Sequence, residues 1–149
     1  MLLVVRNHYS LPVWNLQRQF CTRIVLGILR RLHEENFVED ALRPVTPPQQ
    51  AAADLARIKE EKLPIPAGVQ AALAEHYQAL LHTNDFYQYL TLFKELGQKQ
   101  TQQQSRGRKI NAMDTYFYQM VERVLREELA VSLGESQQEA GKRLLGVLN

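Results

Sequence analysis

Histidine is the side chain best suited to move protons or hold a metal near neutral pH, and the chain has four. His76 and His82 are six residues apart, which turns them roughly 240° from each other on a helix and prevents shared metal binding. His33 precedes two glutamates but lacks the second histidine, four residues on, of a helical zinc-protease motif. His8 has no obvious partner. These histidines therefore favour helix ends and surface positions over a catalytic or metal site.

Other catalytic signatures are also missing from the sequence. Its carboxylate pairs, such as those at 34–35 and 127–128, are typical of solvated helix faces, and it has no glycine-rich phosphate loop. The single cysteine, Cys21, allows neither a disulfide within the chain nor a cysteine-based zinc site, which fits the reducing cytoplasm. We therefore expect a non-catalytic protein without a cofactor or metal. An enzyme or metal protein stays open as an alternative, with His76 and His82 as its test positions.

Basic side chains instead collect in two zones without an acidic residue, residues 1–33 and 96–113. Guanidinium groups along a rigid helix suit a phosphate backbone, because each can make planar charged hydrogen bonds. The two zones predict a positive surface that holds nucleic acid, and a solvated helix face is the alternative. The candidate contacts are Arg18, Arg23, Arg30 and Arg31 in the first zone and Lys99, Arg106, Arg108 and Lys109 in the second.

The most distinctive stretch is residues 98–109, which contains five glutamines and no apolar residue. Because such a segment cannot bury itself, we expect a mobile polar loop unless a partner orders it, or else a plain solvated linker. Tyr116 and Tyr118 follow, and of this group only Phe117 fits the apolar stripe of a helix cleanly. The two tyrosines are candidates to stack on splayed bases, or else they fill gaps in helix packing.

The elements that must position these residues are helices, because apolar residues recur at spacings of three and four. A first helix is expected over about 11–33, and a second from a capping box at 46–49 to near Lys62. A third is expected over about 67–82, and a fourth over 86–96, capped by residue 84 or 85 and ended by Gly97. A fifth begins at residue 110 or 111 and ends at Gly134, and Ser136 opens a second capping box before a short last helix.

Only residues 1–5 could form a strand. The sequence therefore predicts an all-α fold, a compact bundle of five or six helices in a single helical domain over residues 1–149. No apolar run approaches the length of about 20 residues that a membrane span needs.

The stretch Ser105-Arg-Gly-Arg-Lys-Ile-Asn-Ala-Met113 leads into the helix of Tyr116 to Leu129, in a small helical chain with two basic zones and an abrupt apolar start. In these features the chain resembles the small-subunit family of multi-subunit (class 1) CRISPR interference complexes of antiviral defence. The resemblance implies a non-catalytic subunit that stacks in two or more copies with other protein subunits. It also implies that the eight basic candidates contact the backbone of a displaced DNA strand or an RNA heteroduplex, while guide pairing supplies the specificity.

Two further expectations concern the ends of the chain. The apolar start, residues 1–5, looks like that of a piece of a longer chain or of a subunit whose start a neighbour buries. Some small subunits of the family have an internal start in the large-subunit gene.

The alternative function is a helical adaptor or chaperone that binds a partner protein through an apolar face around 1–5 and 144–148. In that case charge reversal of Arg106 and Arg108 would leave binding unchanged.

Overall fold

The structure is a computed structural model that describes residues 3–5 and 42–149. The chain divides into two compact units, residues 1–45 and residues 46–149, and the single helical domain over 1–149 stays a prediction. The described part of the first unit is an antiparallel pair of strands, β1 (Leu3–Val5) and β2 (Leu42–Pro44), in which Leu3 pairs with Pro44. The strand expected within residues 1–5 is therefore present. The helix predicted over 11–33 lies outside the described residues.

The second unit is built from helices whose apolar faces pack on one another. The described helices are α1 (Pro48–Glu60), α2 (Gln70–His82), α3 (Phe86–Ser105), α4 (Ala112–Leu133) and α5 (Gln137–Leu145). α3 and α4 form the central pair, α5 packs along α4, α1 lies against both central helices, and α2 packs on α3. The largest fully buried apolar side chains include Tyr77, Phe93, Leu90, Leu96, Leu125, Leu129 and Leu144. The all-α fold class is confirmed.

Side-chain caps begin three of these helices where the sequence predicts them. The side chains of Asp85, Asn111 and Ser136 accept hydrogen bonds from backbone amides in the first turns of α3, α4 and α5. Each bond satisfies an amide that the first turn of a helix leaves without a partner. Gly134 ends α4 in the left-handed conformation, at φ 64°, as predicted.

The start of α1 differs from the prediction, because Thr46 does not cap it. Pro47 is the N-cap residue and makes no side-chain capping bond. The backbone N and Oγ1 of Thr46 both donate to Oε1 of buried Glu128, at 3.0 and 2.9 Å, and its carbonyl accepts from Ser132 Oγ at 2.5 Å. The predicted capping box is wrong because a tertiary partner on α4 takes the threonine hydroxyl.

The end of α1 is held by a lysine from another helix. The buried ammonium of Lys94 on α3 donates to the carbonyl oxygens of Ile58, Lys59 and Glu61, at 2.6, 2.9 and 2.7 Å. These are carbonyls that the last turn of a helix leaves unpaired, and a cation there also complements the helix dipole. Burial lowers the pKa of this lysine from its usual value. The contact therefore fixes where α1 stops and joins it to α3.

α3 continues through Gly97 to Ser105, so the stop predicted at Gly97 is wrong, and the polar loop predicted over 98–109 is wrong for residues 98–105. Residues 106–109 lie outside the helices. Gly97 lies buried inside the helix, where a Cβ atom would stand 2.6 Å from Cδ2 of Leu148. Its missing side chain permits a close approach of the C-terminal segment. Glutamine is a good helix former, so the glutamine-rich stretch extends a helix that packing already supports.

The burial of Phe117 gives a first prediction. Phe117 is 7% exposed, and its ring meets that of Tyr77 edge-on with the centroids 5.2 Å apart. Because Phe117→Ala removes this packing and leaves a cavity, we expect it to lower the free energy of unfolding by about 3 to 5 kcal/mol in urea denaturation. The neighbouring Tyr116, 55% exposed, provides the control: Tyr116→Ala should cost far less, and equal costs would contradict the assigned core.

Candidate functional site

The turn that joins α3 to α4 carries the exposed basic side chains of the second zone. This basic turn consists of Arg106, Gly107, Arg108 and Lys109, all of them exposed. Two backbone hydrogen bonds close α3 across it, from Gly107 N to Gln104 O at 3.0 Å and from Arg108 N to Gln103 O at 2.9 Å. Gly107, at φ 64°, supplies the left-handed residue that this helix ending requires. The basic turn therefore has a defined, hydrogen-bonded backbone.

A buried polar cluster joins the two helices that flank the basic turn. Nζ of Lys99 on α3 lies 2.8 Å from Oδ2 of Asp114 on α4, and the Asp114 side chain is fully buried. The hydroxyl of Tyr77 on α2 donates to the other oxygen of Asp114 at 2.9 Å, and Nζ of Lys99 donates to that hydroxyl at 3.2 Å. Burial and the bond to Asp114 raise the pKa of Tyr77 far above its usual value. The hydroxyl thus remains a donor.

This cluster corrects the prediction for Lys99. The sequence places Lys99 among the contacts to a nucleic-acid backbone, but its ammonium is committed to Asp114 inside the protein. An ammonium whose counter-charge is buried with it cannot turn outward without leaving that charge unpaired. Lys99 is therefore a structural residue that holds α3 against α4, and its role as a surface contact is wrong.

Two histidines lie on α2, His76 in its middle and His82 at its end. Nε2 of His76 is 2.7 Å from Oε2 of Glu95, a buried carboxylate one helical turn before Lys99 on α3. His82 is the last residue of α2, as expected for a histidine at a helix end. Within residues 42–149 and the short strand at 3–5, no group of three or more histidine, cysteine or acidic side chains could hold a metal ion.

The structure separates the two stacking candidates. Tyr116 is 55% exposed on the second turn of α4, with its ring edge-on to Phe117 at a centroid distance of 5.5 Å. Tyr118 is half-buried against the core and stacks on Phe93, with centroids 5.2 Å apart and rings 20° from parallel. Burial raises the pKa of Tyr118. Tyr116 therefore stays a candidate to stack on a base, whereas Tyr118 fills helix packing.

The remaining candidates of the first zone, Arg18, Arg23, Arg30 and Arg31, lie outside the described residues. In the second zone the exposed basic candidates are Arg106, Arg108 and Lys109. The exposed stacking candidate, Tyr116, follows on α4. The acidic residues that bracket this zone in the sequence, Glu95 and Asp114, are both buried. The charge that residues 95–114 present to solvent is therefore positive.

A groove that the sequence analysis missed lies along the C-terminal half of α3. It has a volume of about 350 Å³ and is lined by Leu63, Ile65, Gln98, Thr101, Gln102, Ser105 and Leu148. The residues at 98, 101, 102 and 105 follow the spacing of one helix face, so this pattern could have revealed the groove. Because the sequence predicts a loop over 98–109, this helix face and its groove are not expected from it.

The apolar face expected around residues 144–148 for an adaptor is largely buried. Leu144 and Val147 belong to the core, Leu148 is half-buried, and Leu145 is 54% exposed. Single exposed apolar side chains are common on protein surfaces and do not by themselves form a docking surface.

The comparisons with known proteins add no relative to this picture. No family model matches the sequence, and neither a curated protein nor a solved structure shows significant similarity to the chain. Among the described helices, none has the length and the apolar content that crossing a membrane requires.

The buried ion pair gives a second prediction. Asp114→Asn leaves the Lys99 ammonium in the interior without its counter-charge, so the free energy of unfolding should fall by about 3 to 5 kcal/mol in urea denaturation. The half-exposed pair of Glu122 and Arg126 on α4, 3.1 Å apart, is the control. Glu122→Gln should cost less than about 1 kcal/mol. Similar losses in both variants would show that the cluster does not hold α3 and α4 together.

Proposed function

We propose that the chain is a non-catalytic subunit that holds single-stranded nucleic acid by its phosphate backbone. It would act in the cytoplasm beside other protein subunits, including further copies of itself, as the resemblance to small subunits of CRISPR interference complexes implies. The observation that carries this proposal is the basic turn, where three exposed cations project from a hydrogen-bonded backbone with the bracketing acids buried.

The fixed backbone of the basic turn supports binding by lowering its entropic cost. A disordered loop must lose conformational freedom when it closes on a ligand, whereas the two hydrogen bonds that end α3 have already ordered this turn. Two arginines and a lysine can then meet successive phosphates of a strand without reading its sequence. Such contacts position a strand whose specificity comes from pairing elsewhere.

Tyr116 supports a single strand over a duplex as the ligand. It lies four residues into α4, about 6 Å along the axis from the first residue of that helix. An exposed aromatic ring near phosphate contacts is a platform for an unstacked base, and every base has a face that can stack on it. Bases in a duplex are already stacked and would gain nothing from this ring.

Charge reversal of the basic turn gives a third prediction. In fluorescence anisotropy with a labelled mixed-sequence single strand, the combined variant Arg106→Glu, Arg108→Glu and Lys109→Glu should bind at least about tenfold more weakly at low salt. Three phosphate contacts correspond to a slope of log affinity against log salt of about 2, at about 0.7 per phosphate. The slope measured with the variant should therefore be smaller by about this amount, whatever the sequence of the strand.

The matched control reverses three exposed cations outside the turn, with Lys59→Glu, Arg123→Glu and Lys142→Glu. This control changes the net charge by the same amount as the turn variant. It should therefore lower the affinity for the strand only by making the whole protein more negative. Equal losses in both triple variants would reduce the effect to net charge and refute a role for the turn. Unchanged affinity in the turn variant would favour the adaptor alternative.

Tyr116 gives a fourth prediction. Tyr116→Leu removes the stacking platform, so single-strand binding should weaken by about 1 to 3 kcal/mol in the same titration. Tyr116→Phe keeps the ring and should bind as the natural chain does. Because this side chain is mostly exposed, the thermal midpoints of both variants should stay near that of the natural chain. If leucine binds as well as phenylalanine, stacking on Tyr116 is wrong.

A further inference from the structure

The proposed strand site draws on two helices. Hydrogen bonds from Gly107 N and Arg108 N to carbonyl oxygens of α3 close the basic turn onto that helix, so its cations keep their place relative to α3. Tyr116, the stacking candidate, lies on the second turn of α4. A strand can use both halves of the site at once only while the two helices keep one relative position. The spacing between the cations and the ring therefore depends on the contact between α3 and α4.

Apolar packing alone does not define that relative position sharply. The rings of Phe93 on α3 and Tyr118 on α4 stack with their centroids 5.2 Å apart, and the burial of such surfaces is favourable without being directional. Cores that rely on apolar contacts lose a unique arrangement before they lose stability. A directional contact between the two helices is needed to select one register.

The buried cluster of Lys99, Asp114 and Tyr77 supplies a directional contact close to both halves of the site. Nζ of Lys99 lies 2.8 Å from Oδ2 of Asp114, and the hydroxyl of Tyr77 donates to the other carboxylate oxygen at 2.9 Å. Lys99 precedes Arg106 by about two helical turns, and Asp114 lies two residues before Tyr116 on α4. A slip of one helical turn, about 5.4 Å, would leave both charges buried and unpaired.

The cluster is not required for stability as such. The attraction within a buried ion pair roughly offsets the hydration that its charges lose, so apolar residues of similar volume often stabilise a protein as well or better. Removing one charge is costly because the other charge stays behind, whereas removing both leaves no unpaired group. Apolar residues cannot, however, fix the distance between two particular atoms, and buried polar groups can specify one register in this way.

We propose that Lys99, Asp114 and Tyr77 are positioning residues that set the distance between the cations of the basic turn and the ring of Tyr116. This role rests on the proposed function and deepens it, because strand affinity then depends on side chains that do not touch the strand. Without the cluster, the two halves of the site are aligned for only part of the time. The apparent affinity falls in proportion to that fraction.

The first test replaces the whole cluster with apolar residues of similar shape, in the cluster variant Lys99→Met, Asp114→Leu and Tyr77→Phe. Because no charge is left unpaired, its thermal midpoint should stay near that of the natural chain. Anisotropy titrations with the labelled mixed-sequence strand should give an affinity lower by about fivefold or more, as for a site aligned at most about a fifth of the time.

The salt dependence of the same titrations separates positioning from direct contact. A positioning residue leaves the bound complex unchanged, so the slope of log affinity against log salt should equal that of the natural chain. If Lys99 itself touched a phosphate, its loss would reduce the slope by about 0.7. A reduced slope or an unchanged affinity in the cluster variant would overturn the proposal.

The matched control is Lys94→Met, which removes a buried lysine of α3 that binds the end of α1 rather than α4. It should lower the thermal midpoint and leave strand affinity unchanged. Losses of affinity that are equal in the control and the cluster variant would reduce the effect to general stability and refute the positioning role. If the cluster variant does not fold, Tyr77→Phe, which keeps both charges and the ring, replaces it: a loss of affinity at constant slope supports the proposal, and an unchanged affinity overturns it.

A double-mutant cycle tests the link to Tyr116 directly. In the cluster variant the ring is no longer held in register with the cations, so Tyr116→Leu should weaken binding by a smaller factor than in the natural chain. Equal factors in both backgrounds contradict the proposal. If the natural chain binds no strand, the proposed function fails, and NMR decides the positioning role alone. Backbone amide signals of residues 106–111 that broaden or double in the cluster variant support it, and equally sharp signals in both proteins overturn it.

Discussion

The buried contact between Lys99 and Asp114 is the constraint on which the rest of the second unit depends. Isolated charges are too costly to leave in an apolar interior, so each forces the other to stay at 2.8 Å. Tyr77 uses its hydroxyl on the same carboxylate, which brings α2 into the arrangement. Three helices thereby meet at one point, and the relative position of α3 and α4 determines where the intervening basic turn lies.

Local signals in the sequence were sufficient to predict the structure wherever the partner of a side chain is a few residues away. Asp85, Asn111 and Ser136 cap helices because their partners are amides in the next turn, and Gly134 ends a helix because only its own backbone conformation matters. The periodic apolar residues of α4 likewise predict its core face, including Phe117. These features could be predicted because each depends on a short stretch of chain.

The predictions failed where a distant residue decides the outcome. Thr46 has the spacing of a cap, but Glu128, far along the chain, takes its hydroxyl. Gly97 has the position of a helix stop, but Leu148 requires a residue without a side chain there. Lys99 belongs to a run of polar residues whose composition predicts exposure to solvent. Its ammonium instead pairs in the interior with Asp114, which lies on the next helix. Charge and spacing show which residues can act, while packing decides which of them reach solvent.

The contact at Gly97 also limits which residues α3 can accept at that position. A Cβ atom there would stand 2.6 and 2.8 Å from the two methyl carbons of Leu148, closer than real side chains approach. A larger residue at position 97 would therefore push Leu148 away from α3. Because Leu148 lines the groove and Gly97 does not, a residue outside the groove sets how closely Leu148 approaches the helix face that forms it.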